Sequence, residues 1–271
     1  MPQTGLGTAG ENEVVDKTIR WGSMRGKKVA FVNVGANSSH GTLRSPIFEN
    51  GTFEFVPIPD PILTIMVPNR DLRYEDLKPW NGIPFTEFVP RSRLKQFAHV
   101  DPEFHGFTYG DYPTRYPRAS NLKQLFPGDH LIFFSALTPW TDGHFHGRPG
   151  FYLIGFFEIR QIFKDMVGRP GKDILKQIEG NVHMIRAECD PVLFDGFWIL
   201  KGSTRSRRFK RAVPLDRRTV QRLGLADTDG HNWNWSRFKS DMAAIGSHLR
   251  SAKIVTNTDR VDKILKIISR T

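Results

Sequence analysis

The sequence predicts an α+β fold, with a mixed or mainly antiparallel β core and C-terminal helices packed on that core. Three observations indicate this class. Short apolar runs at 29–34 and 130–135 are typical of buried strands. The pair Asn50-Gly51 lies between apolar segments and is a strong signal for a hairpin turn. The last quarter of the chain instead has apolar residues spaced by three and four positions, as on one helix face.

The centre of the β core is predicted to be a pair of strands. A turn at 127–129 leads into the strand at 130–135, and the apolar run 151–159 forms the returning strand. Residues 137–150 are predicted to form a long loop between them. Two strands that frame a long loop resemble the layout of PUA, ASCH and EVE domains, which hold a nucleobase or RNA. A PUA-like barrel is therefore one form that this core can take.

Two helices are predicted in the C-terminal segment. The apolar face of the first is formed by Trp235, Phe238, Met242, Ile245 and Leu249. The second begins at Thr258-Asp259, a pair typical of a helix N-terminus. Its apolar face is formed by Val261, Ile264, Leu265 and Ile268. Both faces predict packing on the β core.

The chain is predicted to have three parts. Residues 1–23 are polar and Gly-rich, and we expect a flexible N-terminal tail. The tail contains a glycine motif of the dinucleotide-binding type, but the motif requires a preceding strand and a following helix, which are not predicted here. Residues 24–225 are expected to form the α+β domain, in which the Pro-rich stretch 60–120 is of the irregular kind that often carries function. Residues 226–271 are expected to form a helical segment packed on it.

Positive charge is concentrated in one segment. The chain has 39 Lys and Arg against 28 Asp and Glu, a net charge of +11. Residues 201–222, here called the basic stretch, hold nine of the basic residues and one acid, and so account for +8. Such a density attracts polyanions, and we expect nucleic acid or a nucleotide as the partner, with a solvated cationic face as the alternative. The predicted phosphate-binding residues are Lys201, Arg205, Arg207, Arg208, Lys210 and Arg211.

The compartment is predicted from cysteine content and hydropathy. Cys189 is the only cysteine, so the chain has no internal disulfide, and a reducing, cytoplasmic setting fits best. No apolar run approaches the length of about 18 residues that a membrane span requires. We therefore expect no membrane association. The sequence identifies no protein partner.

Ionisable residues in the irregular stretch are candidates for catalysis. His99, Asp101 and Glu103 lie close together in sequence, and a His–carboxylate pair can transfer a proton near neutral pH. They are tentative catalytic residues. The alternative is a structural role, in which His99 makes a loop hydrogen bond and Asp101-Pro102 forms a turn.

Polar and aromatic loops are candidates for nucleotide binding. A polar loop follows the first strand, aromatic residues can stack a base, and nearby arginines can contact phosphate. The predicted nucleotide-binding residues are Asn37, Ser38, Ser39, His40, Tyr109, Asp111, Arg115, Arg118, His144, His146 and Arg148. His144 and His146 face the same way in an extended chain and can bind one metal ion, but no recognisable motif supplies further ligands. No metal site is predicted, and the cofactor is unknown.

Short motifs follow one another in a consistent order along the chain: Asn33-Val34-Gly35, Ser45-Pro46-Ile47, Pro57-Ile58-Pro59, the segment 98–103, Tyr109-Gly110-Asp111, Arg118, and the segments 125–129, 152–159 and 201–203. In this order they resemble the nucleotide modification associated domain family, type 3. The resemblance spans about residues 28–215. It implies a role in making, recognising or handling modified nucleotides, and it supplies no settled catalytic residues.

Three functions follow from these observations. The first is a protein that binds nucleic acid or a modified nucleotide in a base-modification system. The second is an enzyme that modifies or processes a nucleotide or base, with His99 and Asp101 in acid and base roles. The third is an interaction protein whose basic stretch binds an acidic partner.

Overall fold

The protein was analysed as a computed structural model, which describes residues 25–37, 40–63, 72–227 and 229–271. The predicted tail at 1–23 lies outside the described residues, as do Ser38 and Ser39. The strands are β1 Val29–Asn33, β2 Ser45–Ile47, β3 Ile58–Pro59, β4 Ala98–His99, β5 Thr108–Asp111, β6 His130–Thr141, β7 His144–Phe145, β8 Gly150–Met166, β9 Phe197–Gly202, β10 Arg207–Pro214 and β11 Lys253–Val255.

The helices lie around the sheet and are short. The α-helices are α1 Lys172–Ile178, α2 Val182–Cys189, α3 Arg217–Leu223, α4 Asp241–His248 and α5 Thr258–Ser269. Short 3₁₀ segments are found at Phe85–Glu87, Arg91–Arg93, Pro117–Gln124, Pro191–Leu193 and Trp235–Arg237. The predicted α+β class is confirmed.

One mixed sheet forms the centre of the molecule. Its main path runs in the order β11, β1, β6, β8, β9 and β5, with β10 paired to β8 and both β2 and β7 paired to β6. The pairs β1–β6 and β2–β6 are parallel, and the others are antiparallel. Among the described strands, β5 and β11 end this path without pairing to each other. The sheet is open, so the predicted barrel form of the core was wrong.

The core is aromatic and lies at the middle strands. Phe31 on β1, Phe133 on β6 and Phe157 on β8 are fully buried. Phe133 and Phe157 meet edge to face, with ring centroids 4.6 Å apart. Full burial of such side chains contributes about 2–3 kcal/mol each, so this cluster holds the central strands together.

The predicted loop at 137–150 is mostly strand. β6 continues to Thr141 and pairs with β7 through a tight turn at Asp142 and Gly143. Both turn residues have positive φ, 53° and 80°, as the favoured two-residue hairpin turn requires. The loop prediction was wrong in extent because Pro139 and Asp142 are residues that usually interrupt strands. Here Pro139 lies within β6, opposite Ile47 of β2, and Asp142 lies in the turn.

The C-terminal segment is helical, but it also completes the sheet. The predicted helix over 235–249 is divided, since α4 begins only after Ser240, whose hydroxyl accepts the Ala243 N–H. α5 begins after Asn257, whose side chain accepts the Arg260 N–H, and it buries Val261, Ile264 and Ile268 as expected. Between the two helices, β11 pairs with β1. The predicted boundary at 225/226 stays a prediction.

No helix in the described part of the chain is both long and apolar enough to cross a bilayer. The predicted cytoplasmic setting stays a prediction.

Candidate functional site

Five ionisable side chains from three separate regions meet inside the protein. We call this group the interior ionic cluster, and it consists of Asp60, His99, Asp101, His183 and Arg186. Their side chains are between 0 and 13% exposed, with His99 the most exposed. Burial of so many polar groups is costly unless each is paired, so their assembly points to a specific role.

The backbone around Asp101 fixes its carboxylate. His99 ends the short pair β3–β4, opposite Ile58, and Asp101 follows two residues later. The amide of Gly110 on β5 donates to both Asp101 oxygens, at 2.9 and 3.2 Å. His183 lies in the first turn of α2, where the Asn181 side chain caps the helix by accepting the His183 N–H at 3.0 Å.

Gly110 allows α2 to approach β5. A Cβ atom at this position would lie 2.2 Å from His183 Cδ2 and 2.9 Å from the Asn181 side-chain oxygen. No larger residue fits without displacing the imidazole. The absence of a side chain at Gly110 therefore brings His183 close to Asp101.

Asp60 joins His99 to Arg186. One of its oxygens, Oδ2, lies 3.2 Å from His99 Nδ1 and accepts a hydrogen bond from Arg186 Nε at 2.7 Å. The other, Oδ1, accepts the N–H groups of Ile62 and Leu63. The pairing orients the His99 ring and directs its Nε2 away from Asp60.

Burial controls the ionisation of the cluster. Desolvation lowers the pKa of His99 and lowers that of His183 to about 4, so both rings are neutral at pH 7. Desolvation also raises the pKa of Asp101 well above its usual range, since the burial outweighs the attraction of His99. Asp60 behaves differently, because its hydrogen bonds to His99 and Arg186 more than offset burial and lower its pKa.

Tyr109 and Asp111 border the cluster on β5. The Tyr109 hydroxyl donates to Asp111 Oδ2 at 2.9 Å, and both side chains are buried. Asp111 and Asp101 repel each other, which adds to the raised pKa of Asp101. Both residues line the interior beside the predicted catalytic pair, and their role in nucleotide binding stays a prediction.

Glu103 lies outside the cluster and shapes a turn. Its carboxylate accepts the N–H groups of His105 and Gly106, the latter at 2.7 Å. Lys201 Nζ donates to the carbonyl oxygens of Gly106 and Gln177. Burial lowers the pKa of Lys201, and Glu103 opposes that shift. These two residues therefore hold the turn that presents His105.

An exposed aromatic pair lies at that turn. The rings of Trp80 and His105 are stacked 4.5 Å apart, at an interplanar angle of 14°. Trp80 is 45% exposed, and His105 is also exposed. The guanidinium of Arg208 lies 5.1 Å from the Trp80 ring and 3.9 Å from that of Phe53. We call Trp80 and His105 the stacked pair.

The basic stretch is divided between structural and exposed positions. Arg208 is buried against Glu54, with 3.8 Å between the charged atoms, and Arg207 donates to the carbonyl oxygens of Ile268 and Ser269. Arg205 is exposed but pairs with Glu158. Lys210 and Arg211 are exposed on β10. Of the six predicted phosphate-binding residues, these last two are the ones most available to a ligand.

The described loop residues predicted to bind a nucleotide lie on several separate elements, and Arg115 approaches the cluster through Tyr112, whose ring meets that of His183. His40 Nδ1 accepts the Asn37 N–H at 3.2 Å, after β1. Exposed Arg115 pairs with Asp195 at 2.7 Å. The remaining exposed residues are Arg118 in a 3₁₀ segment, His144 and His146 at the β6–β7 hairpin, and Arg148 after it. His146 Nε2 lies 3.2 Å from the Thr141 hydroxyl.

Two clefts on the described surface lie apart from the cluster. One, of about 300 Å³, lies beside Phe88 and Phe145, and the other, of about 530 Å³, lies beside Val167 and Phe194. Neither is lined by a member of the interior ionic cluster. No side chain of the cluster is more than 13% exposed, so the cluster is interior in this conformation.

Sequence reasoning missed four of the residues that this geometry singles out. His183 and Arg186 are ionisable residues three positions apart in an otherwise apolar, buried helix turn, and that contrast was an available signal. Asp60 carries no local signal, because its partners lie 39 and 126 positions away. Trp80 lies in the sequence Pro-Trp-Asn-Gly, which is typical of a surface turn. A large aromatic residue in such a turn indicates an exposed ring, and this was an available signal.

The fold and the cluster define an α+β protein whose interior holds a group of paired histidine, carboxylate and arginine side chains. The model of the family described as nucleotide modification associated domain 3 matches residues 28–259. The chain therefore belongs to this family, and the match extends beyond the span 28–215 on which the resemblance was based. No curated protein and no solved structure matches the chain. The family name indicates a role in nucleotide-modification systems.

Proposed function

We propose that the protein binds nucleic acid or a modified nucleotide within a base-modification system. The observation that carries this proposal is the stacked pair of Trp80 and His105. An exposed aromatic ring offers a face on which a base of any sequence can stack, at about 1–3 kcal/mol per base. Family membership supplies the setting.

Cationic residues beside the stacked pair support a polyanionic ligand. Arg208 lies against Trp80, and Arg211 on the same strand packs against the hairpin residue Gly51, two positions before Phe53. Lys210 is exposed between them. The same strand thus connects a stacking surface to side chains that can contact phosphate. Arg205, with 77% of its side chain exposed, extends this positive surface even though it pairs with Glu158.

Fluorescence anisotropy tests the proposal, with labelled single-stranded and duplex DNA and RNA oligonucleotides at moderate salt. We expect binding by the wild type and a loss of about tenfold in affinity for Trp80→Ala, since about 1.4 kcal/mol of stacking is removed. Phe126→Ala is the matched control, because Phe126 is 47% exposed but contacts Arg25 and Lys28 instead. It should bind as the wild type does.

Two outcomes contradict the proposal. If no oligonucleotide binds, the acidic-partner function is favoured. If Phe126→Ala weakens binding as much as Trp80→Ala, the stacked pair is not the binding surface. His105→Ala removes one ring of the pair and leaves Trp80 in place. Its affinity for the oligonucleotide, compared with that of Trp80→Ala, distinguishes a base that stacks on the pair from one that stacks on the Trp80 indole alone.

The enzyme function is the second candidate, and the Asp60–His99 pair favours it. A carboxylate that orients one imidazole nitrogen leaves the other for proton transfer, as in many general-base pairs. Incubation with nucleotides and DNA, followed by mass spectrometry, detects any product. Turnover that His99→Gln abolishes while oligonucleotide binding persists supports an enzyme, and turnover unchanged in that variant removes His99 from catalysis.

A further inference from the structure

We propose that His99, Asp101 and His183 bind a divalent transition-metal ion. One ligand atom from each of these residues lies within 4.8 Å of the other two. Two imidazoles and a carboxylate are a ligand set that suits zinc and ferrous iron. This site is separate from the stacked pair, so it does not depend on nucleic-acid binding.

The spacing of the atoms agrees with a shared ion. His183 Nε2 lies 3.6 Å from Asp101 Oδ2, which is too long for a hydrogen bond. Two ligands of a tetrahedral zinc ion, each at about 2.0–2.1 Å, are separated by about 3.3–3.4 Å. The observed gap therefore matches two ligands of one ion more closely than it matches a direct contact.

Asp60 supplies the outer support that such a site needs. Imidazole ligands usually donate their second N–H to a carboxylate, which fixes the ring and its tautomer. Asp60 lies 3.2 Å from His99 Nδ1 in this role, and this leaves Nε2 to bind the ion. Arg186 in turn holds Asp60.

The interior charge also favours a cation. Asp60, Asp101 and Asp111 are buried carboxylates, and Arg186 is the buried guanidinium that faces them. Three acidic side chains are thus buried close to a single guanidinium, and a divalent ion bound to Asp101 adds positive charge where acidic groups are in excess. Three protein ligands leave a position for water, as in catalytic rather than structural zinc sites.

Metal content tests the proposal on the full chain. The protein is stripped with a chelator, dialysed against Zn²⁺ and analysed by mass spectrometry for bound metal. We expect the wild type to bind one ion per chain. The affinity for zinc should fall by at least about tenfold in Asp101→Asn and in His183→Gln, and by about 10- to 100-fold in Asp60→Asn. Co²⁺ should produce visible d–d absorption in the wild type. Mg²⁺, which prefers oxygen ligands, should not compete.

The matched control is the other group of potential ligands. Asp227, Asp229 and His231 also lie within 4.8 Å of one another, but Asp229 and His231 are exposed. Asp229→Asn should leave the zinc content unchanged. The proposal is overturned if the wild type retains no zinc, if Asp101→Asn and His183→Gln bind as the wild type does, or if Asp229→Asn alone removes the ion.

Thermal unfolding keeps the test decisive where a variant is unstable. Zn²⁺ should raise the Tm of the wild type and of Asp229→Asn, but not that of Asp101→Asn. Asparagine keeps the shape of the carboxylate and an oxygen for the Gly110 amide, so the variant is expected to fold. If Asp101→Asn does not fold, the effect of Zn²⁺ on the Tm is measured on His99→Gln instead. A rise in the Tm of His99→Gln equal to that of the wild type overturns the proposal.

Discussion

The interior ionic cluster and the basic stretch are organised in opposite ways. The cluster joins residues that are far apart in sequence, such as Asp60 and Arg186, into one contact network. The basic stretch is continuous in sequence, yet Arg208 lies buried while Lys210 and Arg211 face solvent. Charge density in a sequence therefore did not mark the place where charges act together. Substitutions within each region test this contrast.

Arg208→Ala tests whether part of the basic stretch is structural. Arg208 and Glu54 are both buried, and burial raises the pKa of Glu54 while Arg208 opposes that shift. Removal of one partner leaves an uncompensated buried charge, which costs about 3–5 kcal/mol. Urea denaturation measures the loss. Lys210→Ala, two positions further on and exposed, should change the free energy of unfolding by less than about 0.5 kcal/mol. Equal effects in the two variants would contradict this division.

The pH dependence of stability tests the cluster. The folded pKa of His183 is about 4 against an ordinary value of 6.5, so the unfolded chain binds more protons between these values. The neutral form of His183 therefore contributes its full share to the free energy of unfolding above pH 6.5. This share is lost as the pH falls toward 4, and the free energy of unfolding decreases by about 3 kcal/mol. His99 and His130 act in the same direction, and the raised pKa of Asp101 acts in the opposite direction.

The measurement is urea denaturation of the chelated protein between pH 7 and pH 4. His183→Gln should flatten the loss of stability relative to the wild type, because glutamine does not titrate. If the substitution leaves the pH dependence of the free energy of unfolding unchanged, the His183 imidazole is not buried in its neutral form.

Gly110→Ala tests the close approach that assembles the cluster. The added methyl group meets the His183 ring and the Asn181 side chain, and overpacking of this kind costs about 1–3 kcal/mol. Thermal unfolding checks the shift. Gly168→Ala is the control, because no atom lies within 4 Å of the Cβ position there. If the two alanine variants are equally stable, α2 does not approach β5 as described.

The extent of sequence prediction follows the same contrast. β1, β6 and β8 were predicted, because a short apolar run indicates a buried strand without reference to the rest of the chain. The extension of β6 past residue 137 and the division of the helix over 235–249 depend on neighbouring elements, so local patterns did not reveal them. His99 and Asp101 were found because they are adjacent in sequence. Their partners Asp60 and His183 become neighbours only through pairing of β3 with β4 and packing of α2 on β5.

Lys210→Gln and Arg211→Gln test the exposed part of the basic stretch, where the smallest change in stability is expected. Each side chain is exposed on β10, so each variant should unfold within about 0.5 kcal/mol of the wild type. A lysine or arginine that contacts phosphate releases about one counterion, and its loss lowers the slope of log affinity against log salt by about one. Anisotropy titrations at several salt concentrations measure this slope. Lys123→Gln, also exposed but in the 3₁₀ segment Pro117–Gln124, is the control whose slope should equal that of the wild type. A lower slope for Lys123→Gln with no change for the β10 variants would place the phosphate contacts away from the stacked pair and on the opposite side of this comparison.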